Sequence, residues 1–404
     1  MIIRESYLKK IRQFINKDVI KVMTGIRRCG KSVMMKLIQQ ELRSNGIPEE
    51  DIISLNFESR LLPCEKSVDG AFRYVSNLLG TSKKRKYLFF DEIQDLPGWE
   101  EFVNALQIDF DVDIYITGSN AKLLSGELAT YLAGRYVEIK IYPFSFREIL
   151  DIAQEQEEKK SEKDLFLHYL TYGGMPFIYQ NQMDEEASCQ YLEDVFDSII
   201  LKDVTQRNNI RDVGLFKKIL LYFIANIGNT FSASSIRSYL KSENRNLSLE
   251  TLYNYLEYCK EACILHMVSR VDILGKKALQ FHEKPYLTDH GFREAVYRNN
   301  QRDVQQVLEN IVYMELIRRD YTVFIGKNNA LEVDFVAEKG DARIYVQVAY
   351  LLADDSTVER EFKSLETIPD NYPKYVVTMD EINRSRNGIK HVSVWTFLLM
   401  EHYE

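Results

Sequence analysis

Val19-Ile20-Lys21-Val22-Met23-Thr24-Gly25-Ile26-Arg27-Arg28-Cys29-Gly30-Lys31-Ser32-Val33-Met34 is the stretch that decides the fold. From Gly25 to Ser32 it matches G-x-x-x-x-G-K-[ST] at every fixed position. An apolar run, Val19 to Met23, leads into the glycines, and Val33, Met34, Leu37, Ile38 and Leu42 behind them form one helical face. Strand, loop, helix is the order a phosphate cradle needs. The glycines let successive N–H groups point the same way, and the helix N-terminus adds partial positive charge. The pattern predicts that Gly25, Ile26, Arg27, Arg28, Cys29, Gly30, Lys31, Ser32 and Val33 bind ATP. Lys31 is placed for the β- and γ-phosphates, and the Ser32 hydroxyl for Mg²⁺. A chance glycine-rich turn is the competing reading, and the flanking strand and helix argue against it.

Working outward, short apolar runs alternate with helical patterns: Ile52 to Phe57, Tyr87 to Phe90, Ile114 to Ile116 and Val137 to Ile141. Such alternation predicts an α/β fold, a parallel sheet covered by helices on both faces. The run Tyr87-Leu88-Phe89-Phe90 ends in Asp91-Glu92. A carboxylate at the C-terminal end of a parallel strand lies at the ligand crevice of such a sheet. Asp91 is therefore expected to hold Mg²⁺ through water, and Glu92 to orient the attacking water. The next run ends in Thr117-Gly118-Ser119-Asn120. Ser119 and Asn120 are candidates to contact the γ-phosphate or its water, with a simple turn as the alternative.

The chain has 404 residues, 45% hydrophobic and 28% charged, enough for several cores. A net charge of −8 argues against coating nucleic acid or an anionic membrane by bulk electrostatics. The Lys83-Lys84-Arg85-Lys86 run is expected as a solvated loop. Five cysteines with no C-x-x-C pair predict neither a disulfide framework nor a structural zinc site. No apolar run is long enough to span a bilayer and no signal-peptide pattern opens the sequence, so a cytoplasmic location without membrane contact is expected. The division read from the sequence is 1–150 for the P-loop domain, 151–225 for a helical lid or connector, 226–295 for a winged-helix-like domain, and 296–404 for a C-terminal α/β domain.

These residues resemble the prokaryotic AAA-type ATPases that carry a C-terminal domain of unknown function. In the first part the resemblance rests on the Gly25–Ser32 loop, Leu88-Phe89-Phe90-Asp91-Glu92-Ile93-Gln94, Thr117-Gly118-Ser119-Asn120, Leu132-Ala133-Gly134-Arg135 and Pro143-Phe144-Ser145-Phe146-Arg147-Glu148. It implies ATP hydrolysis. Arg135 falls at the family's Gly-Arg position and is a candidate to stabilise transition-state charge in its own or a neighbouring subunit. A solvated or salt-bridged arginine is the alternative. Thr171-Tyr172-Gly173-Gly174-Met175-Pro176 and Ile200-Leu201-Lys202-Asp203-Val204 also resemble the family and read as turn and packing features.

Phe231 to Ile236 followed by Asn246 to Leu256 resembles the helix-turn-helix of a winged helix, with serines capping both helices. Leu249, Leu252, Tyr253 and Leu256 are expected as its buried stripe. Glu250 and Glu257 on the open face oppose DNA, whereas Arg270, Lys276 and Lys277 around the wing favour backbone contact. DNA and a protein partner, or self-association, are both retained.

The C-terminal part resembles the restriction-endonuclease-like fold through Leu308-Glu309-Asn310, Glu332-Val333-Asp334-Phe335 and Gln347-Val348-Ala349. Glu309 and Asp334 match that family's acidic positions. Gln347 stands where a second strand carboxylate belongs and Ala349 where a lysine belongs, which predicts a degenerate, catalytically inactive site. The expectation is an ATP-hydrolysing switch acting on these modules. Its rival is a nucleic-acid-binding or nuclease effector that ATP only regulates; a scaffold that binds nucleotide without turnover is the third reading.

Overall fold

In a computed structural model of the chain, residues 2–80, 84–119, 134–242, 247–273, 277–328 and 331–403 are described. They form two compact units: Met1–Pro143 with Glu261–Cys263, and Phe144–Lys260 with Ile264–Glu404. Among the described residues no helix is long and apolar enough to cross a membrane.

The first unit holds strands β1 (Ile20–Thr24), β2 (Ile52–Asn56), β3 (Lys86–Asp91), β4 (Val112–Gly118) and β5 (Tyr136–Lys140). They pair in the order β2-β3-β4-β1-β5, and every pairing is parallel. All five runs read from the sequence are strands of this sheet. Side chains alternate across it. Ile20, Val22, Ile53, Leu55, Leu88, Phe90, Ile114 and Ile116 bury one face against helices α3 (Val68–Leu79) and α4 (Trp99–Asp109). On the alternate positions Phe89 stacks on Tyr115 at 4.6 Å between ring centroids. Helix α2 (Lys31–Ser44) lies against β4, and α1 (Glu5–Arg12) against β5.

Two buried or half-buried cations at the N-terminal ends of the strands are paired. The side chains of Lys21 and Asp113 form an ion pair with no exposure on either partner. Lys86, expected in a solvated loop, is buried in β3. Its ammonium lies 3.6 Å from Asp51 and donates to the Glu50 carbonyl at 3.2 Å.

The second unit begins where Ser145 caps the helix Phe146–Glu155 reciprocally with Glu148, a capping box that accounts for the spacing of these two residues. Helices Glu162–Tyr172, Glu185–Ser198 and Val213–Ala225 follow. The turn between Tyr172 and Pro176 requires its glycines. A Cβ on Gly173, where φ is +72°, would meet Asp289 Oδ1 at 1.8 Å, and one on Gly174 would meet the Phe144 carbonyl at 2.2 Å.

Helices Ala233–Ser242 and Leu249–Glu261 come next. As expected, serines cap them: Ser232 accepts from the Ser235 N–H and Ser248 from the Thr251 N–H. The buried stripe of the second helix is Leu252, Tyr255, Leu256 and Cys259. This corrects the expected one, because Leu249 is 39% and Tyr253 53% exposed. The helix is rotated so that Tyr255 and Cys259 join Leu252 on the inward side at three- and four-residue spacing.

A mixed sheet completes the unit: β6 (Leu265–Asp272), β7 (Lys277–Leu287), β8 (Thr322–Asn328), β9 (Leu331–Lys339), β10 (Ala342–Val348), β11 (Lys374–Thr378) and β12 (Ile389–Ser393). Its order is β12-β11-β10-β9-β8-β6-β7. The β6–β7 hairpin, where the wing was expected, is continuous with the C-terminal strands, since β6 pairs parallel to β8.

Candidate functional site

The phosphate loop leaves β1 at Thr24 and enters α2 at Lys31. Gly25 and Gly30 have φ of +146° and +104°, a region open to glycine. The Gly25 position is also closed by space: a Cβ there would meet the Ile141 carbonyl oxygen at 2.1 Å. Lys31 is 4% exposed, and its ammonium donates to the carbonyls of Gly25 (2.9 Å) and Ile26 (3.2 Å). Cys29 is buried within the loop, and burial pushes its thiol pKa up. Arg27 approaches Glu58 at 3.8 Å. Ser32 is exposed at the start of α2, with Val33 half-buried behind it.

Register brings the acidic pair to this loop. β1 lies beside β4, with Met23 opposite Thr117, and β4 lies beside β3, with Phe90 opposite Ile116. The end of β4 therefore stands between the loop and Asp91. The Thr117 hydroxyl donates to Asp91 Oδ1 and accepts the Glu92 N–H at 2.9 Å. From β2, the Asn56 amide donates to Asp91 Oδ2 at 3.2 Å. Glu92 adopts φ of +48° and accepts from Gln94 Nε2 at 2.6 Å. Thr117 and Asn56 were missed as site residues. Their signal was positional: Asn56 is the last residue of β2 and Thr117 the next to last of β4, the two strands that flank the Asp91 strand, and Thr117 has the side-chain parity of Asp91.

Ser119 is buried just past β4, while Asn120 lies outside the described residues. Arg135 is exposed at the far end of the sheet. Its carbonyl accepts the Ile20 N–H at 2.8 Å, at the start of β1, whereas the loop departs from the end of that strand. Five residues of strand, roughly 16 Å, separate these points, more than an arginine side chain spans. Arg135 is thus not brought to the loop of its own chain.

The donor set fits a magnesium-bound triphosphate. Ser32 and Asp91 offer the hard oxygens that Mg²⁺ takes, and the glycine-lined loop offers backbone N–H groups at a helix N-terminus.

In the second unit, Glu309 and Asp334 are also brought together. Burial first, then their mutual repulsion in the case of Asp334, raises both carboxyl pKa values, that of Asp334 well above the ordinary range. A lysine is present, from an unexpected strand. Lys284 of β7 is 5% exposed, 2.7 Å from Glu332 and 3.8 Å from Glu309. Burial pulls its pKa down, but Glu309, Asp334 and Glu332 outweigh this and hold it above the usual lysine range. Gln347 is committed elsewhere: its carbonyl accepts the Asp334 N–H and the Ser364 hydroxyl, both at 3.3 Å, and its amide donates to Glu361 at 2.9 Å. Arg270 pairs with Glu332 and donates to Thr230 at 3.0 Å. Lys276 and the Lys277 side chain lie outside the described residues.

A phosphate loop at the switch point of a parallel sheet, with an acidic pair two strands away, defines a P-loop AAA-type protein. A family model described as "AAA domain" matches residues 17–150, and one described as "Domain of unknown function (DUF8612)" matches residues 163–303. An uncharacterized protein of Haemophilus influenzae is 38% identical over 400 residues, covering 99% of each chain. Another, from Methanocaldococcus jannaschii, is 31% identical, covering 96% of this chain and 89% of the relative. The chain belongs to one family with these two proteins, and its residues 17–150 match the AAA domain. The Walker-type ATPase PABY2304 of Pyrococcus abyssi shares the fold, with a TM-score of 0.51 and 16% identity over 73% of this chain and 96% of that one.

Proposed function

We propose that the protein is an ATPase that binds ATP·Mg²⁺ at Gly25–Val33 and hydrolyses it. The observation that carries this reading is the link between the two halves of the site. Thr117 holds both the Asp91 carboxylate and the Glu92 backbone beside the strand that feeds the phosphate loop.

In this reading Lys31 and the loop N–H groups bind the phosphates, Ser32 and Asp91 hold Mg²⁺, and Glu92 orients the attacking water. Bound Mg²⁺ supplies charge neutralisation on the phosphates. Ser119, just past β4, and Asn120, next to it in sequence, sense the γ-phosphate. Arg135 acts, if it acts on phosphate, on a neighbouring copy.

Hydrolysis drives a rearrangement of the remaining modules, which we read as a helical connector, a winged helix and an inactive nuclease-like domain. The order helix Val304–Arg318, β8, β9, β10, helix Asp355–Glu366, β11 supports the last of these. The loss of Gln347 to internal hydrogen bonds supports its inactivity.

The test is phosphate release from ATP·Mg²⁺ by wild type, Lys31→Ala and Glu92→Gln, with and without duplex DNA. Turnover that collapses in both variants is expected. Unchanged turnover in Glu92→Gln would refute the catalytic assignment. Stimulation by DNA would bring in the winged helix, and tight binding without turnover would make the protein a nucleotide-gated scaffold.

A further inference from the structure

The phosphate loop is braced from a direction that its own motif does not encode. Arg4, just before α1, is 2% exposed. Its Nη1 donates to the Cys29 carbonyl at 3.2 Å, and its Nη2 to the Tyr142 carbonyl at 2.9 Å. The guanidinium lies over the Tyr7 ring, 4.5 Å from the centroid, and the Tyr7 hydroxyl accepts the Tyr142 N–H at 3.1 Å. A Cβ on Gly30 would stand 3.7 Å from Arg4 Nη1, so the guanidinium lies directly behind the loop's second fixed glycine.

The Cys29 carbonyl matters because of the peptide plane. In a trans peptide the C=O of one residue and the N–H of the next point in opposite directions within one rigid unit. A donor that holds the Cys29 carbonyl therefore fixes the direction of the Gly30 N–H. The Gly30 N–H belongs to the set of loop amides that must converge on phosphate oxygens. Gly30, with no side chain and a φ of +104°, has little of its own to hold that plane.

The second carbonyl extends the brace. Ile141 donates its N–H to the Thr24 carbonyl at 2.8 Å, and its own carbonyl closes against Gly25. Residues 141 and 142 thus contact the start of the loop directly and its end through Arg4. Only an arginine presents two parallel N–H donors in a rigid plane, so a lysine at this position reaches one carbonyl without fixing the other.

We propose that Arg4 is a positioning residue for nucleotide binding, setting the direction of the Gly30 N–H through the Cys29 carbonyl and anchoring it to Tyr142. This rests on the ATP-site reading above. It acts before chemistry, by preorganising the loop, so its loss appears in affinity rather than in the hydrolytic step.

The experiment measures binding of a fluorescent ATP analogue with Mg²⁺, and steady-state phosphate release, on the full chain. The proteins are wild type, Arg4→Ala, Arg4→Lys, Tyr7→Phe and Lys31→Ala, each checked for folding by thermal melting. Losing charge-assisted hydrogen bonds to the loop implies that Arg4→Ala raises Kd and KM in parallel by about tenfold, with kcat within about threefold of wild type. Arg4→Lys falls between the two, and added methylguanidinium restores affinity to Arg4→Ala. Tyr7→Phe, which keeps both guanidinium bonds, binds as wild type does.

Wild-type affinity in Arg4→Ala overturns the proposal, as does a loss that neither lysine nor methylguanidinium recovers. If Arg4→Ala does not fold, wild-type affinity in Arg4→Lys overturns it. If wild type and Lys31→Ala bind the analogue alike, it is the ATP-site reading that fails, an outcome distinct from failure of Arg4 alone.

Discussion

The Thr117 hydroxyl donates to the Asp91 carboxylate and accepts the backbone N–H of Glu92, so one side chain at the end of β4 orients both members of the acidic pair. Replacing Thr117 with valine keeps the shape and removes both bonds. In the proposed role of Glu92 as the group that orients water, misplacement by a fraction of its hydrogen-bond length is costly, so kcat is expected to fall by about 10- to 100-fold. Nucleotide affinity, set mainly by the loop, should change by less than about threefold. A variant with normal kcat would show that the bridge is incidental.

Arg135 and Lys31 should behave oppositely in binding. Arg135 lies beside the start of β1 and Lys31 beyond its end, so Arg135→Ala is expected to leave the affinity for ATP·Mg²⁺ unchanged, whereas Lys31→Ala weakens it by orders of magnitude. Equilibrium titration at protein concentrations spanning two decades checks this. A weakened Arg135→Ala at the lowest concentration would mean that the side chain reaches its own loop after all.

The pair Lys21–Asp113 is fully enclosed, and Asp113 also accepts from Tyr115 and from the Asn16 N–H. Burial lowers the Lys21 pKa even with the carboxylate beside it. Asp113→Ala would strand an ammonium in the sheet, at a cost of about 3–5 kcal/mol. Denaturant unfolding of the first unit's transition should show it. A loss under about 1 kcal/mol would indicate that water or another group replaces the aspartate.

Lys284 is expected to be structural. Lys284→Met leaves Glu309 buried without its cation and should lower the unfolding midpoint of the second unit, by a loss of about 3–5 kcal/mol. The double variant Lys284→Met/Glu309→Gln should recover part of it, because the two sites are coupled. Wild type should not cleave duplex DNA in Mg²⁺ or Mn²⁺. Cleavage that requires Lys284 would restore this cluster to catalysis.

Acid should destabilise the second unit through its histidines. Burial pulls the pKa of His168 and of His290 down from 6.5 to about 4. For a base with a depressed folded pKa, the stability contribution is complete above 6.5 and is lost as the pH falls toward 4. Asp289 has the opposite sign. Burial, partly offset by N–H groups of Gly174 and Gly291, raises it from 3.8 to about 6, so its contribution is complete below 3.8 and lost as the pH rises through 6. Between pH 6.5 and 4 these histidines, joined by His391, which burial lowers in the same direction, work against Asp289 and the raised carboxyls of Glu309 and Asp334. His168→Gln should flatten the fall in melting temperature over that window, and Asp289→Asn should steepen it. Curves parallel to wild type would dismiss both assignments.

The parallel sheet and the phosphate loop were legible because their signals are local: buried apolar runs, and glycines at fixed spacing. The chemistry of the strand ends was only half legible. Asp91 and Glu92 announce themselves after four apolar residues, but choosing Thr117 over Ser119 and Asn120 required the β3–β4 register. Lys86 read as one of four solvated cations because its partner Asp51 lies far away in sequence. Lys284 was invisible for the same reason. The resemblance places a lysine two residues after Gln347, where Ala349 stands, and the fold supplies one from β7 instead. In the helix Leu249–Glu261, tyrosines and leucines stand on both faces, so composition alone did not tell which face turns inward.

The pairing of β6 with β8 has a practical consequence for anyone who would cut this chain into pieces. The region matched as a domain of unknown function stops at residue 303, before β8 begins at Thr322. A fragment ending there would keep the β6–β7 hairpin but lose the strand that covers β6 at Arg270–Asp272, leaving a row of backbone groups open to the first strand that meets them. Such a piece is expected to aggregate or to pair with itself. The smallest soluble version of the second half should therefore run from Phe144 past β12 and the buried helix Val394–Leu399 to Glu404, with the hairpin, the C-terminal strands and that helix kept as one cooperative body.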